Sequence, residues 1–136
     1  MAALIRRFTE AARNGAEGVT CWGTGSPRRE FLHVDDLASA AVFCLEHWTY
    51  DPKNNEPAFL NVGTGTDISI KELAELIATA TKFKGAIKWD TSKPDGTPRK
   101  LLDISLAQKL GWQPRISLKA GIETTINDYL NTIRNQ

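Results

Sequence analysis

Apolar residues recur at helical spacing in several segments of the chain, which predicts four or five helices. These helices are expected at residues 2–14, at about 36–48, from Ser69 to about Phe83, from Asp103 or Ser105 to Gly111, and from Ser117 to Ile133. Local signals mark some of the ends, because Ser69 and Glu72 fit a capping box and glycine, as at Gly111, commonly follows the last turn of a helix.

The second predicted helix is rich in alanine and begins beside two acidic residues. Asp35 or Asp36 is expected to cap it, since a carboxylate accepts hydrogen bonds from the free N–H groups of a first turn. Its buried side is expected to consist of Leu37, Ala41, Cys44, Leu45 and Trp48.

Four short runs between the helices predict strands at residues 18–22, 30–34, 58–62 and 86–89. Helices that alternate with short strands indicate an α/β fold. We expect a single domain, residues 1–136, with a short, largely parallel sheet and four or five helices. A sheet this small often completes a larger neighbour.

Charge and composition exclude several functions. The 136 residues include 17 basic and 16 acidic side chains, so the formal net charge of +1 gives no general attraction for nucleic acid. The N-terminus lacks the apolar core of a signal peptide, and no window approaches about 18 consecutive apolar residues. We therefore expect a cytoplasmic protein with no membrane segment and no nucleic-acid partner.

The side chains that usually carry catalysis or bind metals are sparse. Cys21 and Cys44 are not spaced like metal ligands or a redox pair, and His33 and His47 have no evident acid or base partner. His33 is expected to be a hydrogen-bonded core or interface residue. The sequence therefore predicts no metal site and no catalytic residue of its own.

A glycine- and proline-containing loop from Gly23 to Pro27 is followed by Arg28 and Arg29. Glycine lets the backbone approach a ligand closely, and a guanidinium matches a phosphate or carboxylate with a planar fork of donors. The interpretation as a solvated turn with two surface arginines stays open at this point. A second loop, Asn61 to Thr66, also resembles a phosphate cradle, but neither loop completes a dinucleotide fingerprint.

Cationic side chains stand at three separated places: Arg7, Arg29 and the pair Arg99-Lys100. If these places converge, they hold the two negative charges of a diphosphate through charge-assisted hydrogen bonds. Trp22 would lay its ring against a sugar or base, and Asp95 would accept from ribose hydroxyls. Each residue also has an ordinary structural interpretation, with Trp22 in the core and Asp95 in a turn.

Five motifs together resemble the C-terminal part of the GDP-L-fucose synthases, NADP-dependent epimerase-reductases among the extended short-chain dehydrogenases. They are Leu4 to Phe8, Trp22 to Ala38, Asn61 to Gly65, Lys71 to Ala74 and Lys93 to Asp103, and the resemblance covers essentially the whole chain. It implies that Arg7, Arg29 and Lys100 hold the diphosphate of a GDP-sugar, GDP-4-keto-6-deoxymannose, and that Trp22 lines the pocket. The ribose contact of Asp95 is a weaker inference from the residues.

The chain departs from that family by lacking the motifs that carry its chemistry. The dinucleotide-binding glycines, the Tyr-x-x-x-Lys pair and the epimerisation Cys and His of the family have no counterpart here, and Cys21 does not align with that Cys. The resemblance thus implies a sugar-nucleotide-binding portion without the N-terminal Rossmann domain, using NADP only in an intact enzyme and not catalytic alone. The alternative is a stand-alone interaction or oligomerisation module, with a homodimer expected.

Overall fold

The computed structural model describes residues 1–54 and 57–134. These ranges contain five α-helices interspersed with five short strands, which confirms the α/β prediction. The helices are α1 (Ala2–Arg13), α2 (Val34–His47), α3 (Ile70–Ala80), α4 (Ser105–Leu110) and α5 (Leu118–Arg134). The strands are β1 (Gly18–Trp22), β2 (Arg28–Arg29), β3 (Ile68–Ser69), β4 (Ala86–Asp90) and β5 (Arg99–Lys100).

The chain divides into two compact units. The first unit contains Met1–Arg29, Ile68–Arg99 and Lys119–Gln136, of which residues up to 134 are described. The second unit contains Glu30–Asp67 and Lys100–Leu118. The expectation that residues 1–136 form one domain stays a prediction.

The first unit is built on a parallel pair of strands, β1 and β4, in which Gly18 lies beside Ala86 and Trp22 beside Asp90. A second, three-stranded ribbon has the order β3-β2-β5, and its β2 and β3 are antiparallel. Helices α1 and α3 pack together, and the Phe8 ring meets the Phe83 ring edge to face. Largely buried apolar side chains form the core: Ile5, Phe8, Val19, Cys21, Leu73, Ile77, Ile122 and Ile126.

The second unit has a small core and little regular structure besides α2 and α4. Ala40, Ala107 and Trp112 are buried together, and Leu32, Phe43, Leu60 and Val62 pack partly against them. The Trp112 indole N–H donates to the Ser39 hydroxyl at 3.2 Å, which gives the buried ring a polar partner.

The strands expected at residues 30–34 and 58–62 are wrong. Pairing stops after Arg29, because the facing strand β3 has only two residues, and α2 begins at Val34. In the run 58–62, Leu60 and Val62 bury their side chains by packing onto the small core of the second unit. An apolar run becomes a strand only where another strand lies beside it, and neither run has such a neighbour in the described ranges.

The predicted cap and buried face of α2 are also wrong. The cap is His33, whose Nδ1 accepts from the Asp35 N–H at 3.3 Å, and Asp35 itself is exposed. The buried residues of α2 are Asp36 and Ala40, whereas Leu37 is 52% and Leu45 89% exposed. Ala41 is likewise exposed, and Cys44 and Trp48 are half-buried. The helix is apolar on several faces, so its spacing does not single out the buried one.

Other local signals are confirmed. Ser69 and Glu72 form the reciprocal capping box at the start of α3. Gly111 follows α4 in the left-handed conformation, with φ +105°. No helix in residues 1–54 and 57–134 combines the length and the apolar character needed to cross a bilayer.

Candidate functional site

Two loops of the first unit leave the same edge of its parallel pair. Strands β1 and β4 end side by side at Trp22 and Asp90, and the Gly23 N–H donates to the Asp90 carbonyl at 2.9 Å. The first glycine loop follows β1, and the long loop of residues 91–98 follows β4. In open α/β folds, ligands bind beside the carboxyl ends of parallel strands, which makes this edge the candidate site.

Asp95, on the long loop, fastens the first glycine loop. Its Oδ1 accepts from the Thr24 N–H at 2.9 Å and its Oδ2 from the Thr24 hydroxyl at 2.6 Å. These hydrogen bonds hold the pKa of Asp95 below its ordinary value. The carboxylate fits because Gly23 has no side chain, since a Cβ there would lie 2.2 Å from Oδ1.

The same loop is held on its other side by close packing and by α3. A Cβ on Gly25 would lie 2.6 Å from the Trp89 ring, and the residue has φ +77°, so both space and backbone conformation require glycine. The Gly25 carbonyl accepts from the Lys71 N–H at 2.9 Å. These glycines thus serve a tight loop that packs on its own unit.

The two arginines after the loop have different surroundings. Arg28 forms an ion pair with Glu72 of α3 at 3.5 Å. Arg29 is half-buried, and its Nη1 donates to the Arg28 carbonyl at 2.7 Å. Its Nη2 lies 3.1 Å from the position of a Cβ on Gly96, so the guanidinium is next to the long loop. The structure therefore brings Arg29 and the segment at Asp95 together.

Trp22 does not lie in the core. Its side chain is 71% exposed at the end of β1, and the Lys93 ammonium lies 5.9 Å from the centre of its ring. A cation at this distance is weakly attracted to the face of an indole. An exposed indole beside a loop that carries a lysine is a surface on which a planar or sugar ring can stack.

Arg7 is anchored on the strand that precedes the loop. This half-buried side chain donates from Nη2 to the Thr20 carbonyl of β1. Burial raises the pKa of the neighbouring Cys21 thiol, while the Arg7 charge opposes that rise. Cys21 is thus a buried, protonated thiol rather than a nucleophile near neutral pH.

Lys100 belongs to the second unit, whereas Arg7, Trp22, Arg29 and Asp95 belong to the first. Lys100 is exposed and ends β5. Four of the five predicted site residues therefore lie in one compact body, and Lys100 begins a segment of the other.

Sequence reasoning missed Glu30, the acidic residue directly after Arg29. Its Oε1 accepts from the N–H groups of Thr64 and Gly65, each at 2.6 Å, and its Oε2 accepts from the Leu102 N–H at 3.1 Å. The second glycine loop thus holds the protein's own carboxylate. A glycine-rich loop that fits no nucleotide fingerprint was a signal for such an internal anion.

Comparison with known proteins shows what the chain is similar to. The family described as "NAD dependent epimerase/dehydratase family" matches residues 1–63. A solved structure of the GDP-mannoheptose C4 reductase from Campylobacter jejuni, with NADP bound, shares the fold with a TM-score of 0.78 at 30% identity. That alignment covers 94% of this chain and 45% of the reductase.

The names of the curated relatives are more specific than the family description. The chain is 52% identical to the putative GDP-L-fucose synthase 2 of Arabidopsis thaliana, over 96% of this chain and 38% of that protein. It is 48% identical to the GDP-L-fucose synthase of Escherichia coli K12, over 94% of this chain and 41% of that enzyme. The chain is thus homologous to the C-terminal part of the GDP-L-fucose synthases, as its motifs predicted, and spans well under half their length.

Proposed function

We propose that this chain is the GDP-sugar-binding portion of an enzyme similar to the GDP-L-fucose synthases. The observation that carries the proposal is the edge at the carboxyl ends of β1 and β4, where exposed Trp22 and half-buried Arg29 flank a pinned glycine loop. The names of the relatives supply the class of ligand, a GDP-linked sugar.

Arg29 is the residue expected to hold the diphosphate. Its half-buried guanidinium is partly shielded from water and keeps donors beyond the one bonded to the Arg28 carbonyl. A phosphate oxygen in that position gains charge-assisted hydrogen bonds. Arg7 and Lys100 are proposed as further cations that contact the diphosphate, and Trp22 as the surface against which the sugar or base lies.

Asp95 has a more limited part in this proposal. Both of its oxygens already accept from Thr24, so its first task is to set the loop beside Arg29. Each carboxylate oxygen has a second lone pair, and the proposed ribose contact would use one of these.

The chain alone is proposed to bind and not to catalyse. Epimerisation and hydride transfer would need groups and the NADP that the rest of an intact enzyme supplies. Cys21 offers no substitute, because burial keeps its thiol protonated.

Calorimetric titration with GDP tests the proposal. Wild type should bind, and Arg29→Ala should weaken the affinity roughly tenfold, the usual cost of one hydrogen bond to a charged group. Arg28→Ala is the matched control. It also removes one positive charge, but from the neighbouring residue, whose side chain is paired with Glu72. Equal affinity of wild type and Arg29→Ala, or no binding by either, contradicts the proposed diphosphate site.

A second candidate is an oligomerisation module, favoured by the outward face of α2. Val34, Leu37, Val42 and Leu45 are between 52% and 89% exposed. An apolar helix face is normally covered by protein, and a second copy of this chain offers the same face in a symmetric pair. A homodimer through α2 is the form this candidate takes.

A further inference from the structure

The Glu30 carboxylate joins three segments of the second unit. Besides the two N–H groups of Thr64 and Gly65, its Oε1 lies 3.3 Å from the Thr64 hydroxyl, and its Oε2 holds the Leu102 N–H. Backbone N–H groups that converge on a carboxylate form the short, strong kind of hydrogen bond. These bonds tie residue 30 to the glycine loop and to the segment after Lys100.

The glycine loop is shaped to receive this carboxylate. A Cβ on Gly63 would lie 2.5 Å from the Glu30 Oε1, so any side chain at this position displaces the carboxylate. A phosphate-binding loop offers backbone N–H donors and a glycine that leaves room for the anion. This loop has both features, but they hold the protein's own Glu30 carboxylate.

The segment after Lys100 depends on few other anchors. Residues 101–104 have no regular structure, and Leu101 and Leu102 are 37% and 45% exposed. Among the described contacts, the segment is also held by the Asn61 side-chain amide, which donates to the Asp103 carbonyl at 3.1 Å. The Ser105 N–H donates to the Asp103 Oδ1 at 2.9 Å, and Ile104 is buried. Glu30 thus fixes the backbone two residues after Lys100.

We propose that Glu30 is a positioning residue for Lys100, one of the cations proposed to hold the diphosphate. Its bond to the Leu102 N–H holds the backbone two residues after Lys100, within the same unit. This inference rests on the proposed function and deepens it. Glu30 is not itself a ligand contact in this proposal and acts through the placement of Lys100.

A double-mutant cycle on GDP affinity tests the proposal. Glu30→Gln keeps the size of the side chain but removes its charge and places an amide donor against at least one N–H group. It should weaken GDP binding roughly fivefold, within the coupling expected for residues of one network. In a Lys100→Ala background the same change should have a markedly smaller effect, because the residue that it positions is gone.

A second variant tests the proposal independently in case Glu30→Gln does not fold. Gly63→Ala leaves the charge of Glu30 intact and displaces its carboxylate, so it should weaken GDP binding in the same direction. Glu46→Gln is the matched control, because Glu46 is an exposed carboxylate of the same unit whose only described partner is His47. Backbone amide NMR signals of Thr64, Gly65 and Leu102 should move in Glu30→Gln and stay in Glu46→Gln.

The outcomes separate this inference from the function on which it rests. Wild type that fails to bind GDP refutes the proposed function itself. Wild type that binds GDP while Glu30→Gln moves the three amide signals without weakening binding refutes the positioning role alone. An equal loss of affinity in the presence and absence of Lys100 also refutes it, since that result is expected of general destabilisation.

Discussion

Two carboxylates, Asp95 and Glu30, accept hydrogen bonds from backbone N–H groups of the two glycine loops. Asp95 takes the Thr24 N–H in the first loop, and Glu30 takes the N–H groups of Thr64 and Gly65 in the second. These three N–H groups are therefore already satisfied within the protein. The proposed diphosphate site relies instead on side chains such as Arg29, which is half-buried.

Asp95→Asn should make the stability of the first unit depend less on pH. Hydrogen bonds from Thr24 lower the folded-state pKa of Asp95, so its contribution is fully present above the ordinary aspartate pKa and is lost as the pH falls through the lowered one. Wild type should therefore unfold at higher urea than Asp95→Asn near pH 7, and the difference should shrink as the pH drops below about 4.

The control for this experiment is Asp128→Asn, an exposed carboxylate of α5 in the same unit. The urea concentration at which Asp128→Asn unfolds should change with pH in the same way as that of wild type. A constant difference between wild type and Asp95→Asn down to the lowest pH would show that the bonds to Thr24 do not depend on the charge of Asp95.

The roles of single residues were predictable only where the signal was local. The separation of Arg29 from Arg28 followed from motif context, and the structure gives the two side chains different surroundings. The loop-fastening roles of Asp95 and Glu30 were not predictable, because their partners lie 71 and 34 residues away in the sequence. Such pairs appear only when the chain is folded.

For the helices and strands too, features that depend on nearby residues were predictable, and features that depend on contacts in space were not. Capping at Ser69 and the helix stop at Gly111 depend on residues a few positions apart, and both were predicted. The runs at 30–34 and 58–62 have the composition of strands, but a strand also needs a partner in space. The buried face of α2 was not predictable either, because it depends on the hydrogen bond that Asp36 accepts from the Arg115 N–H rather than on apolar spacing.

Asp36 connects the first turn of α2 to the segment before α5. The side chain is 3% exposed, and its two oxygens accept from the N–H groups of Arg115 and Ile116 at 3.1 and 2.9 Å. Asp36→Ala leaves both donors without this partner and should lower the free energy of unfolding by about 2–3 kcal/mol.

The neighbouring Asp35→Ala is a suitable control for that measurement. Asp35 is 76% exposed on the same helical turn, so its loss should cost about 0.5 kcal/mol from the helix dipole. Urea unfolding followed by circular dichroism gives both values. Equal destabilisation by the two variants would mean that the bonds from Asp36 to residues 115 and 116 contribute little.

At the scale of the whole molecule, exposed apolar side chains are concentrated in one unit. Among the described residues, all the large exposed hydrophobic side chains except Met1 and Trp22 belong to the second unit. That unit has a small buried core, which includes Ala40, Ala107 and Trp112, and lacks a strand pair of its own in the described ranges. An exposed apolar surface of this kind is normally covered by protein.

If a second copy provides that cover, Leu45 is the residue to change. Its side chain is 89% exposed, so Leu45→Glu removes almost no packing within one copy and should leave folding intact. A buried charge at a symmetric α2 interface should raise the dimer dissociation constant by roughly tenfold or more. Sedimentation analysis over a range of protein concentrations should then find a wild-type dimer and a Leu45→Glu monomer, with Leu45→Met still dimeric as the apolar control. A wild type that stays monomeric at the highest concentration, or a Leu45→Glu dimer of unchanged affinity, excludes a homodimer through the outward face of α2.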